Sequence, residues 1–312
     1  VITQRTVGRS GLRVSRIGLG TLTWGRETSG DEAAAQLSAF AEAGGTLVDT
    51  SPAYSAGAAQ RILSELLGDV VPRELLVLSG TAGLTPTAEG LDRLDCSRRT
   101  LLLQLEHTLR ELDTDHLDIW NVAAWDPQTP VEEVAATLQQ AVASGKTRYV
   151  GVRSLQAWQL ATLAAAVGPR LLVSVQADYS LLDRAGEYEL LPCADHHGTG
   201  LFAQTPLAGG ILTGKYRTGI PADSRGADEI RGEDVREHLT DRTNRVVEAV
   251  VTAADGLGTS PLAVALAWAR DRPGVTSVVV GARDNAQLTG VLAAEELALP
   301  RAISAALDDV SE

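Results

Sequence analysis

Eight short runs rich in valine, isoleucine and leucine constrain the fold of this chain more than any other feature. They read RIGLGT (16–21), TLVDTS (46–51), LLVLSG (75–80), LDIWNV (117–122), RYVGVR (148–153), LVSVQA (172–177), GLFAQT (200–205) and TSVVVG (276–281). Longer amphipathic stretches separate them, which is the pattern of βα units around a parallel sheet. Eight such units close into an α/β fold, a (β/α)8 barrel of about 250 residues or a little more, with reactive groups expected where strands end and βα loops begin.

The intervening helices carry their own punctuation. SGDEAAAQL offers Ser29 or Asp31 as an N-cap with acids in the first turn, and the glycines of EAGG (42–45) supply the stop. Ser97 precedes RRTLLLQLEHTLREL, whose apolar residues recur at helical spacing. No Pro/Ser-rich linker divides the chain, so residues 1–312 are expected to form one domain. Two connections exceed the two to six residues usual for such units. Residues 83–96 follow the third run, and residues 213–241 follow the seventh. The latter carries Lys215, Arg217, Arg225 and Arg231 beside several acids, and reads either as a lid over the barrel mouth or as a solvated surface excursion.

Composition narrows the partners. The chain is 44% hydrophobic, yet no apolar run reaches the roughly 18 residues of a membrane span. With 27 basic against 40 acidic side chains the net charge is −13, which repels nucleic acid and anionic membranes. A small-molecule substrate is the expected partner; the oligomeric state is left open. Cys96 and Cys193 stand in no metal or redox spacing, and no basic stretch followed by an apolar one marks a signal peptide, so a cytoplasmic location is expected. No cluster of His107, His116, His196, His197 and His238 suggests a metal site, and none ends a strand-like run.

Taken together, GLRVSRIGLGTLTWG, DTSPAY, LDIWNVAAWDP, RYVGV, VQADYSLLDR, PLAGGILTGKY and GVTSVVVGAR resemble the aldo-keto reductases, in order and spacing, from about residue 5 to residue 310. The resemblance implies a TIM barrel with residues 1–15 as an N-terminal β-hairpin closing its bottom and a long loop after strand 7. It implies carbonyl reduction with NADP(H), in which a tyrosine is the general acid, an aspartate and a lysine tune it, and a histidine orients the substrate. Asp49 and Tyr54 match the first roles. The lysine falls on Thr81 and the histidine on Ala123, and neither can substitute: threonine carries no charge, and alanine neither donates nor accepts a hydrogen bond.

Departures continue on the cofactor side. Arg153 and Ser154 stand where the family has a Ser-Asn pair for the nicotinamide carboxamide, Gln176 is kept, and Gln204 replaces a stacking aromatic. Thr205, Leu207, Gly209 and Lys215 belong to the segment expected along the pyrophosphate. Gly281, Arg283 and Gln287 are kept at the adenine end, where Val291 replaces an asparagine. The resemblance thus leaves NADP(H) with a groove kept at its phosphate end and rebuilt at its hydride-transfer end.

A buried, unpaired Asp49 carboxylate is unfavourable by several kcal/mol, so it is expected either to protonate or to find a partner. Arg153 is one candidate, holding Asp49 or a substrate anion. The alternative is an outward Arg153, with Asp49 bonded to backbone or Ser51. Trp24, Trp120, Trp125 and Tyr179 lie near strand ends as an aromatic wall or as plain core. Three functions follow. One is a repurposed small-molecule enzyme, in natural-product biosynthesis for example, with acid/base chemistry by Tyr54, Asp49 and Arg153 and no net hydride transfer. The others are an NADPH-dependent carbonyl reductase with a modified site, and a non-catalytic binding or regulatory protein.

Overall fold

The structure, a computed structural model, describes all residues except 87–91, 169 and 229–231, and leaves aside the side chains of 86, 92 and 234. Arg231 therefore lies outside the described residues. The chain opens with an antiparallel pair, β1 (Gln4–Thr6) and β2 (Arg13–Ser15), as the resemblance implies. Barrel strands follow as β3 (Ile17–Gly20), β4 (Leu47–Thr50) and β5 (Val77–Ala82). A small hairpin, β6 (Leu84–Pro86) with β7 (Asp92–Leu94), occupies the first long connection. The barrel is completed by β8 (Leu117–Val122), β9 (Thr147–Arg153), β10 (Leu172–Asp178), β11 (Gly200–Gln204) and β12 (Val275–Val280). These eight parallel strands close in the order β10-β11-β12-β3-β4-β5-β8-β9, each overlapping one of the eight apolar runs. The third strand runs two residues further than its run, to Ala82, so Thr81 is paired with Asn121 inside the sheet and not in a loop.

Around the strands stand α1 (Gly30–Glu42), α2 (Ala58–Leu66), α3 (Arg98–Glu111), α4 (Val131–Ala143), α5 (Ala157–Val167) and α6 (Leu190–His197). The second long connection holds a short helix, α7 (Gly232–Glu237), before α8 (Asp241–Leu257), α9 (Pro261–Arg270), α10 (Asn285–Ala293) and α11 (Arg301–Ser311). Between Ser29 and Asp31, it is Ser29 that caps α1, its Oγ accepting the Glu32 N–H at 3.3 Å. Ser97 caps α3 in the same way. Among the described residues no single helix is long and apolar enough to cross a membrane.

The core has two layers. Between sheet and helices lies the larger one, which takes Trp24, Trp120 and Tyr179. Trp24 Nε1 donates to Gln36 Oε1 at 3.0 Å, and Tyr179 stacks on Trp268 with ring centres 5.6 Å apart. These three rings are core, not a wall of the mouth. Inside the barrel, Val7 and Val14 from the hairpin segment pack with Leu47, Ile119, Phe202 and Val279. The hairpin is thus an apolar stopper for the end at which the strands begin.

Candidate active site

The inner face of the barrel changes character along its axis. Residues two apart on a strand share a face. Leu47, Ile119 and Phe202 sit by the hairpin, and Asp49, Asn121 and Gln204 come next on the same strands toward the mouth. On β5 and β9 the corresponding rows are Val77, Ser79, Thr81 and Tyr149, Gly151, Arg153.

Asp49 is buried at 3% exposure, and its carboxylate is not left alone. Oδ2 accepts from the Tyr54 hydroxyl at 3.1 Å and from Arg153 Nη1 at 3.4 Å; Oδ1 accepts from Ser79 Oγ at 3.3 Å. Ser51 takes no part, since its Oγ accepts the Ala53 N–H instead. Tyr54 begins a tight turn in which Ser55 and Ala56 hold left-handed backbone, both at φ 50°. Such non-glycine strain persists where surrounding contacts over-determine it, and here it delivers the phenol to Asp49.

Arg153 joins both walls of the mouth. Its Nη1 also donates to the Tyr54 oxygen at 2.9 Å and to Thr81 Oγ1 at 3.1 Å, while Nη2 donates to Gln204 Oε1 at 3.0 Å. The guanidinium therefore reaches the threonine that stands for the expected lysine and brings a positive charge between Asp49 and Tyr54. Burial alone would lower the pKa of Arg153, but the neighbouring Tyr54 and Asp49 outweigh it and the net direction is upward. Tyr54 is pushed up to about 12, first by burial and then by Asp49, with Arg153 opposing. The site thus holds Tyr54 as a phenol in contact with both Asp49 and Arg153.

That pair can act as a proton donor. Arg153 already donates to the Tyr54 oxygen, so a tyrosinate left after proton transfer would form against a cation. Ala123 is buried beside Ala82 and supplies no polar group. Beyond it Trp125 meets Trp158 edge-on at 5.1 Å, and Trp158 is an exposed ring at the start of α5 that the sequence analysis did not single out. Ser79 and Asn121 were missed as well. They stand in phase with Thr81 and Ala123, but what they touch shows only once β5 and β8 are paired.

The expected cofactor positions divide into two groups. At the ring end, Ser154 is exposed with φ 52°, and Gln176 is buried with its Oε1 lacking a hydrogen-bond partner. Gln204, which offers no ring face, is engaged by Arg153. Arg153 thus spans the mouth from Thr81 to Gln204. Toward the phosphate end, Thr205 and Ala208 hold positive φ beside Gly209 and Gly210, winding the backbone tightly after β11. Thr205 Oγ1 donates to Asp178 at 2.6 Å. Leu207 is half-buried, and Lys215 is exposed with its ammonium over the Tyr216 ring. Arg283 donates to the Asp223 carbonyl, its own N–H bonds Gln287 Oε1, and exposed Gly281 ends the strand before it. Val291 is buried among apolar neighbours. Arg26 also pairs with Asp228, so the long excursion after β11 is tied to both the first and the last βα loops. Among the described residues, His, Cys, Asp and Glu gather nowhere in a group able to hold a metal.

A cavity of about 230 Å³ lies at the opposite face, lined by Arg5, Arg9, Thr199 and Thr276 among others, and it touches none of these groups. Conserved chemistry in such barrels belongs to the other end.

Residues 16–312 match the sequence pattern of the Aldo/keto reductase family. The chain is 34% identical to a probable voltage-gated potassium channel subunit beta of Oryza sativa subsp. japonica, over 91% of this chain and 88% of that one. It is 31% identical to the uncharacterized oxidoreductase YrpG of Bacillus subtilis, over 97% and 94% of the two chains. With the aldo-keto reductase YhdN of the same bacterium it shares 29% identity over 91% and 86%.

Proposed function

Because the chain belongs to the aldo/keto reductase family, whose members are typically oxidoreductases, we propose that it is a small-molecule enzyme that keeps the family's acid and works without net hydride transfer. Tyr54 gives its proton to a carbonyl or hydroxyl oxygen of the substrate. Arg153 stabilises the tyrosinate in place of a lysine, and Asp49 holds both groups in register. The phenol then recovers its proton from a neighbouring carbon or from solvent, which suits cyclisation, dehydration or isomerisation of a polar molecule, as in natural-product biosynthesis. The observation that carries this reading is the span of Arg153 from Tyr54 and Thr81 across to Gln204.

A second reading, NADPH-dependent carbonyl reduction, is favoured by the buried, unpartnered Oε1 of Gln176, an acceptor suited to a carboxamide N–H. It requires Arg153 to leave the position described above. Calorimetric titration of dialysed protein with NADPH, beside the Arg153→Ser variant, separates the two. The first reading expects no binding by the wild type and binding by the variant. Tight binding by the wild type, with NADPH oxidised by a carbonyl panel and that oxidation lost in Tyr54→Phe, overturns it in favour of the second.

A further inference from the structure

Beside Asp49 stand two polar groups, Ser79 and Asn121, that the family resemblance does not assign. Asn121, on β8 with β5 between it and the strand of Asp49, is fully buried; its Nδ2 donates to Ser79 Oγ at 2.9 Å and to the Gly80 carbonyl at 3.0 Å. The carbonyl can only accept, so the amide nitrogen must lie on this side and Oδ1 must point the other way. Ser79 Oγ, receiving one hydrogen bond from that nitrogen, has its own proton left for Asp49 Oδ1. A hydroxyl is a free rotor; here the amide fixes which way it points.

The other end of Asn121 explains a glycine. A Cβ on Gly151 would fall 2.2 Å from Asn121 Oδ1 and 2.3 Å from Ser174 Oγ, closer than any side chain tolerates. Both oxygens are buried without a hydrogen-bond partner and converge on the gap that Gly151 leaves. Gly151 and Arg153 share the inner face of β9, so the residue that makes room for Asn121 lies one step below the cation that binds Asp49 from above.

We propose that Asn121 is a positioning residue for Asp49, acting through the hydroxyl of Ser79, and that position 151 is glycine so that the amide can seat. This rests on the reading of Asp49 and Tyr54 as the acid/base pair. Asp49 then has one oxygen aimed by the chain Asn121, Ser79 and the other held by Tyr54 and Arg153, so that the carboxylate cannot rotate when the phenol gives up its proton.

The test follows the Asp49 carboxyl carbon by NMR in protein labelled at aspartate, its signal assigned by loss in Asp49→Asn. Ser79→Ala and Asn121→Leu are each expected to displace that signal, and the double variant is expected to match Ser79→Ala alone, because the amide acts through the hydroxyl. Ser79→Thr, which restores a hydroxyl, is expected to keep the wild-type position. Asn121→Ser, smaller than leucine and checked by near-ultraviolet circular dichroism, repeats the measurement if leucine disturbs folding. An unmoved signal in both Asn121 variants, or displacements that add in the double variant, overturns the proposal. A Tyr54→Phe protein with undiminished turnover would instead strike at the acid/base reading and leave this coupling intact, so the two failures are distinguishable.

Discussion

Arg153 meets Asp49 and Tyr54 from the far side of the mouth, which makes it a different device from a lysine on the neighbouring strand. Its planar fork serves two walls at once, and a point charge on a flexible stem could not. Arg153→Ala leaves the Asp49 carboxylate buried with only neutral donors, and we expect a loss of about 3 kcal/mol in urea unfolding. Arg153→Lys should recover part of it, since charge returns without the Gln204 contact. Tyr54 gives a pH signature. Its folded value, up at about 12, exceeds the value near 10 of the unfolded chain, so the folded state binds the proton more tightly. The resulting stabilisation is complete below pH 10 and is lost as pH rises through about 12. Wild type and Tyr54→Phe should differ in pH dependence over that window by on the order of 2–3 kcal/mol, with stability falling more steeply in the wild type; denaturation midpoints from pH 9 to 12 measure it.

At the scale of the element, the strands hold their chemistry by alternation, and small side chains decide what fits. Gly151→Ala forces a methyl onto Asn121 Oδ1 and Ser174 Oγ, and should lower stability by about 1–3 kcal/mol in thermal or denaturant unfolding. The helices depend on their caps: Ser260 Oγ accepts the Ala263 N–H at 3.1 Å at the head of α9, with Pro261 in its first turn. Ser260→Ala should cost about 1 kcal/mol by the same measurement. All eight barrel strands were legible because a strand buried on both faces must be continuously apolar. Asp49 and Tyr54 were legible because DTSPAY carries them in one short segment. Ser79 and Asn121 were not, because their meaning arises only when two strands far apart in sequence are paired. The reach of Arg153 could be named only as one of two orientations: an alternating strand puts a side chain inside the barrel, but rotamers across the mouth decide which wall it touches. The β6–β7 hairpin escaped notice because its three-residue strands carry too few apolar positions to show a period.

For the whole molecule, closure of the sheet removes every edge from the barrel, and the chain's eight units share one continuous outer core. If residues 1–312 behave as the single domain expected from the sequence, unfolding should appear as one transition, with far- and near-ultraviolet circular dichroism coinciding; separated transitions would divide the chain. The hairpin adds a consequence of another kind. With Val7 and Val14 sealing one end, the described residues leave the mouth at the other, and Arg153 stands in it. If Tyr54 is the acid proposed above, its product leaves by the mouth through which the precursor came. Traffic is therefore one molecule at a time, and product should compete with substrate for the same free enzyme.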